Sequence, residues 1–242
     1  MLGILIQLGL SWLLLWMVEK KNLSALGLMP TALRLLDFAL GFGAAALLLT
    51  AHTLATTTMK GNTWSIHHQF SFHAWFSSAW WTIKSVLFEE LLFRGALLYL
   101  LLQRTSLKTG CLISATAFGV YHWFSMGVLG NLQAMVFVFI GTGIWGLMFA
   151  YAFGKTRSLY LPIGLHLGWN FFNIVVFSQG PLGKQWLIVS DNGHQITGLL
   201  SIGLFLFQWF GLPLIVYYYL RIFRKNDNRE TINTTSYSTE QD

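Results

Sequence analysis

Seven long apolar runs separated by short polar links leave this chain few ways to fold. They lie at about 2–18, 34–56, 72–103, 109–125, 131–153, 158–178 and 196–220. A run of about 20 apolar residues crosses the hydrocarbon core of a bilayer as a helix, because a helix satisfies its backbone hydrogen bonds within itself. The charge content agrees. Only 10% of the 242 residues are charged and 55% are hydrophobic, whereas a soluble domain carries about 25% charge. The expected fold is an all-α, polytopic membrane helix bundle with about seven transmembrane helices. The third run is too long for one perpendicular span, roughly 48 Å as a single helix. Its start is therefore expected to lie in the interface or to kink.

Positive charge sets the expected orientation. Lys20, Lys21, Arg34, Arg104, Lys108, Lys155, Arg157, Arg221, Arg224, Lys225 and Arg229 fall on one side of the alternating spans. Lys60 and Lys184 fall on the other, while Lys84 and Arg94 lie within a span. The positive-inside bias then places the N-terminus outside and the C-terminus inside, as an odd number of spans requires. The net charge of +6 is read as this bias and not as a nucleic-acid surface. The first run has its lysines after it and no small-residue cleavage site, so it reads as a retained span and not as a signal peptide. Trp80, Trp81 and Lys84 suit an outer-interface anchor. Expected regions are N-terminal spans over 1–70, a core over 71–180, a last span over 181–220 and a disordered polar cytoplasmic tail over 221–242.

Against this oily background a few polar side chains stand out. Phe88-Glu89-Glu90-Leu91-Leu92-Phe93-Arg94 puts two carboxylates and a guanidinium inside the third run. His122 lies in the fourth run, and His166, Asn170 and Asn173 lie in the sixth. Charge in hydrocarbon costs several kcal/mol unless it is paired or wetted, so an ionisable residue there is a functional-site hypothesis by default. Counted from the basic residues at the inner ends, Glu89, His122 and Asn170 sit roughly 20–22 Å along their helices and His166 roughly 14 Å. Three helices thus bring polar groups to similar depths. Glu90 and Arg94 are four residues apart and can pair on one helical face. Glu89 is turned about 100° from Glu90 and is left free for other work. A carboxylate and an imidazole can take a proton from water, while a second imidazole and a carboxamide can donate to a developing oxyanion.

Glu89-Glu90-x-x-x-Arg94, Phe118-x-x-x-His122 and His166-x-x-x-Asn170, in that order on successive segments, resemble the CPBP family. That family, also called Abi, comprises CAAX prenyl endopeptidases of the Ras-converting-enzyme type and bacteriocin-processing or immunity proteins. The resemblance covers about residues 75–180. It implies a membrane protease in which Glu89 is the catalytic carboxylate and His122 its partner in activating water. His166 and Asn170 would form the oxyanion site, with Glu90 and Arg94 as structural support. It also implies a peptide or membrane-protein substrate, prenylated ones included, and residence in a lipid bilayer, expected to be the bacterial plasma membrane. No cofactor is required on this reading. The metal alternative is Zn²⁺ held by Glu89, His122 and His166 with an open water position, although the His-Glu-x-x-His signature is absent.

Other readings compete with it. A non-proteolytic protein of the same fold would serve bacteriocin immunity or scaffolding, and a transporter would use the buried charges as an ion path. No internal repeat of the transporter kind is evident. His67, His68 and His73 read as surface residues, with a weak metal site as the alternative. Gly141-x-Gly143-x-x-Gly146 matches a dinucleotide fingerprint by letter, but it lies inside an apolar run with no strand before it. Helix packing explains it better, and the same holds for Gly41, Gly43 and Ala44 to Ala46. His52 lies near the outer end of the second span. The single cysteine, Cys111, excludes an intramolecular disulfide and a multi-cysteine metal site.

Overall fold

The computed structural model describes residues 1–224. Eight α-helices follow in order: α1 Leu2–Glu19, α2 Ala32–Met59, α3 Phe72–Arg94, α4 Ala96–Arg104, α5 Leu107–Ser125, α6 Leu132–Thr156, α7 Tyr160–Asn170 and α8 Gly198–Phe223. Capping side chains fix several starts. Thr31, Ser106 and Asn131 each accept a backbone N–H from the first turn of α2, α5 and α6. The tail expected over 221–242 lies outside the described residues from 225 onward.

The third apolar run is two helices. It breaks at Gly95, well past its start, where a Cβ would sit 2.1 Å from the Leu91 carbonyl oxygen. The run is thus divided behind Arg94. A second departure is a small antiparallel ribbon. Thr63–Ile66 (β1) pairs with Leu187–Ser190 (β2), Thr63 opposite Ser190 and Ile66 opposite Leu187. Four-residue strands inside polar links are too short to show a periodicity, so the all-α expectation missed them.

The ribbon marks one end of the bundle, where it ties the α2–α3 link to the segment before α8. The opposite end is tied by polar contacts. Arg104 donates to Glu19 at 3.1 Å, Lys21 donates to the Tyr99 hydroxyl at 2.8 Å, and the Leu159 N–H donates to the Leu26 carbonyl. The bond to Tyr99 also holds the Lys21 ammonium above its usual pKa. Arg224, just beyond α8, donates to buried Asp37 of α2.

Four helices, α1, α2, α6 and α8, are long and apolar enough to cross a membrane. They carry many exposed large apolar side chains, with Leu47 at 74%, Leu132 at 76% and Leu199 at 87% exposure. Such a surface is stable against lipid and not against water. Together with the length of these apolar helices, it marks an integral membrane protein. Helices α3, α5 and α7 fall outside that group, and they are the ones that carry the glutamates, Arg94 and the two interior histidines.

Small residues let these polar helices approach. A Cβ on Gly164 or Gly168 of α7 would lie 2.4 Å from the carbonyl oxygen of Phe38 or Phe42 on α2, and one on Gly41 would lie 3.0 Å from α7 backbone. A Cβ on Gly146 of α6 would meet Phe118 of α5 at 3.0 Å. With little hydrophobic drive between helices in lipid, such close contact is what holds them together. Gly41 and Gly146 thus have the expected packing role, and the latter lies within the unbroken helix α6. Gly43 faces open space.

Candidate active site within the bundle

The last two turns of α3 carry Glu89, Glu90 and Arg94, and the rotation between neighbouring helical positions sends the two carboxylates in different directions. Glu90 and Arg94 are fully buried. Arg94 donates from Nη1 to Oε1 of Glu90 at 3.2 Å and from Nη2 to the Gly146 carbonyl at 3.4 Å. Its guanidinium lies 4.2 Å from the ring centre of Phe118 and 5.0 Å from that of Phe149. Aromatic faces and a carboxylate together offset the cost of a cation in this interior. Among the described residues, Oε2 of Glu90 and Nε of Arg94 are buried without a hydrogen-bond partner.

His122 occupies the last turns of α5. Its Nδ1 donates to the Phe118 carbonyl one turn back at 2.8 Å, which leaves Nε2 pointing away from its own helix. His166 lies midway along α7, between the two glycines that seat α7 on α2. It stacks on Phe149 at 4.8 Å between ring centres, 17° from parallel. Its Nδ1 donates to Oε1 of Glu90 at 2.7 Å, so Glu90 holds a histidine as well as an arginine. That assignment of the proton follows from the acceptors, a carbonyl for His122 and an Arg-paired carboxylate for His166.

Both free imidazole nitrogens face one oxygen. Oε2 of Glu89 is 4.0 Å from Nε2 of His122 and 3.8 Å from Nε2 of His166. These gaps exceed a direct hydrogen bond, so the three groups face one another without being bonded. The side chains of Glu89, His122 and His166 are 12%, 11% and 8% exposed, so the cluster is nearly closed yet reachable. Asn170 lies one turn beyond His166 and is half-buried. Among the described residues its carboxamide makes no hydrogen bond. A π-helical turn, Phe171–Val176, follows it directly and includes Asn173.

The donor set of two imidazoles and a carboxylate is chemically suited to Zn²⁺, and a histidine oriented by a carboxylate is a common feature around such ions. Among the described residues no three His, Cys, Asp or Glu side chains group closely enough to hold a metal ion. That applies to His67, His68 and His73 as well, of which His68 is exposed in the link after β1 and His73 is exposed in the first turn of α3.

Residues 70–172 match the family model "Type II CAAX prenyl endopeptidase Rce1-like". The match agrees with the CPBP resemblance carried by the motifs. It covers less than half of the chain, from the start of α3 to the end of α7, and contains Glu89, Glu90, Arg94, His122, His166 and Asn170. No curated protein and no solved structure matches the chain.

Within this Rce1-like stretch the aromatic box around Arg94 and His166 was only half readable in advance. Phe118 is part of a motif and four residues from His122. Phe149 sits in an apolar helix where nothing distinguishes it from its neighbours. The link from Glu90 to His166 joins residues 76 positions apart, a contact that helical spacing does not reach.

Proposed function

We propose that this chain is an intramembrane endopeptidase that hydrolyses a peptide bond with water activated by Glu89 and His122. The observation that carries the reading is the convergence of two imidazole Nε2 atoms on one oxygen of Glu89. A water between Glu89 and His122 gives one hydrogen bond to the carboxylate and one to Nε2, and its lone pair is left for a carbonyl carbon. As the oxygen attacks, Glu89 takes the proton and the carbonyl oxygen becomes an oxyanion. In this reading His166 and Asn170, one turn apart on α7, donate to that oxyanion. Because Nδ1 of His166 is committed to Glu90, it can donate from Nε2 only as the imidazolium. Collapse of the tetrahedral intermediate expels the amine, which recovers the proton from Glu89.

The substrate class follows from the family description, so prenylated CAAX peptides come first, ahead of leader peptides and membrane-protein segments. The proposed orientation is N-outside and C-inside with about seven spans. Cleavage of a fluorogenic peptide panel by purified protein in detergent tests the reading. Cleavage lost in Glu89→Gln and indifferent to chelator is expected. Retained activity in Glu89→Gln would overturn the role of Glu89, and loss with chelator would replace the water mechanism with a metal centre of Glu89, His122 and His166. Silence of every peptide, with a normal phenotype in Glu89→Gln cells, would favour the immunity or scaffold reading.

A further inference from the structure

At the end of the bundle opposite the ribbon, α6 and α8 leave a cleft of about 790 Å³ lined by Tyr151, Lys155, Tyr217, Tyr218, Arg221 and Ile222. Its polar groups form a continuous chain. The Lys155 ammonium lies 5.8 Å over the Tyr151 ring, the Tyr151 and Tyr217 rings are 5.5 Å apart, and Arg221 donates to the Tyr217 hydroxyl at 3.4 Å. Among the described residues no carboxylate lines the cleft. Elsewhere Arg94, Arg104 and Arg224 each have an acidic partner, but among the described residues Lys155 and Arg221 make no salt bridge. Two cations lining one cleft make it attractive to an anion from outside.

The surroundings identify the source of the anion. Ile222 lines the cleft, and Leu214, Ile215 and Phe223 lie on the same helix; all four are at least half exposed and therefore lipid-facing. A ligand whose charge rests at Lys155 and Arg221 would have its remainder beside this apolar wall. A soluble phosphate gains nothing from the wall, whereas acyl chains do. Tyrosine hydroxyls at the same level supply donors for phosphate oxygens.

We propose that this cleft binds the headgroup phosphate of an anionic phospholipid, with its acyl chains along the exposed face of α8. The site is separate from Glu89 and its histidines, and shares no residue with them.

Full-length protein purified in detergent would be titrated with phosphatidylglycerol, phosphatidylcholine or inorganic phosphate, and followed by native mass spectrometry and thermal unfolding. Phosphatidylglycerol is expected to stay bound and raise the unfolding temperature, with the other two far weaker. Lys155→Gln/Arg221→Gln should weaken its binding on the order of tenfold or more, and Lys155→Arg/Arg221→Lys should restore it. Tyr217→Phe, which changes one oxygen, should give a smaller loss and guards against misfolding of the double variant. Equal binding of phosphatidylcholine, saturation by inorganic phosphate alone, or undiminished phosphatidylglycerol binding in the double variant would each overturn the proposal.

Discussion

His166 donates from Nδ1 to the Glu90 carboxylate at 2.7 Å, so Glu90 is joined to the pair of Glu89 and His122 through another side chain. The two neighbouring glutamates divide the work: Glu89 faces both imidazoles, and Glu90 holds one of them in place. Glu90→Gln keeps the volume but removes the charge that orients His166. It is expected to lower kcat by roughly 10–100-fold while KM changes little, as when a partner that orients a histidine is lost. A loss of equal size in Glu89→Gln, or a change confined to KM, would argue against a purely orienting role.

Arg94 answers a different demand. It is fully buried, between Glu90 and two aromatic faces. Arg94→Leu leaves the Glu90 carboxylate without its guanidinium partner, at an expected cost of about 3–5 kcal/mol. Thermal unfolding in detergent should show the loss. Glu90→Leu together with Arg94→Leu should recover much of the stability, since an apolar pair carries no desolvation cost. Activity should stay low, because His166 no longer has its acceptor. A double variant that recovers activity would overturn the assignment.

The packing of α7 on α2 gives a third test, with its control on the same helix pair. A Cβ at Gly168 would lie 2.4 Å from the Phe42 carbonyl oxygen, against rigid backbone, while Gly43 meets nothing within 4 Å. Gly168→Ala is expected to cost about 1–3 kcal/mol and to reduce cleavage, because it shifts the helix that carries His166. Gly43→Ala should be neutral or slightly stabilising, by up to about 1 kcal/mol. Equal unfolding temperatures for the two variants would contradict the close approach.

That contrast also shows what the sequence could reveal. Gly41, Gly43 and Ala44 to Ala46 form one small-residue stretch, and composition alone assigned all of them to packing. Only the rotation of α2 separates Gly41, on backbone, from Gly43, in open space. Long apolar runs made the bundle legible because a bilayer leaves the backbone few alternatives. Charges in such runs are costly, which made Glu89, Glu90, Arg94, His122 and His166 visible. The i,i+4 pairing of Glu90 with Arg94 was a matter of helical geometry. The bond from Glu90 to His166, the stacking of Phe149 and the β1–β2 ribbon join residues far apart in sequence. No local periodicity encodes them. The break at Gly95 was legible only as excess length, since several positions in that run could have relieved it.

The two ends of the bundle allow a direct test of orientation. Arg104 pairs with Glu19 at one end, near Lys20, Lys21, Arg157 and Ser158, while the ribbon closes the other. The clustering of basic residues at the first end supports placing it in the cytoplasm. His68, in the link beside β1, and Lys108, at the start of α5, are both exposed and lie toward opposite ends. Cys111 is buried, so labelling at a new cysteine should stand clear of it. In intact cells a membrane-impermeant maleimide is expected to label His68→Cys, and to label Lys108→Cys only after the membrane is opened. The reverse pattern would invert the topology. It would also put the Lys155–Arg221 cleft in the outer leaflet, leaving the chemistry at Glu89 untouched.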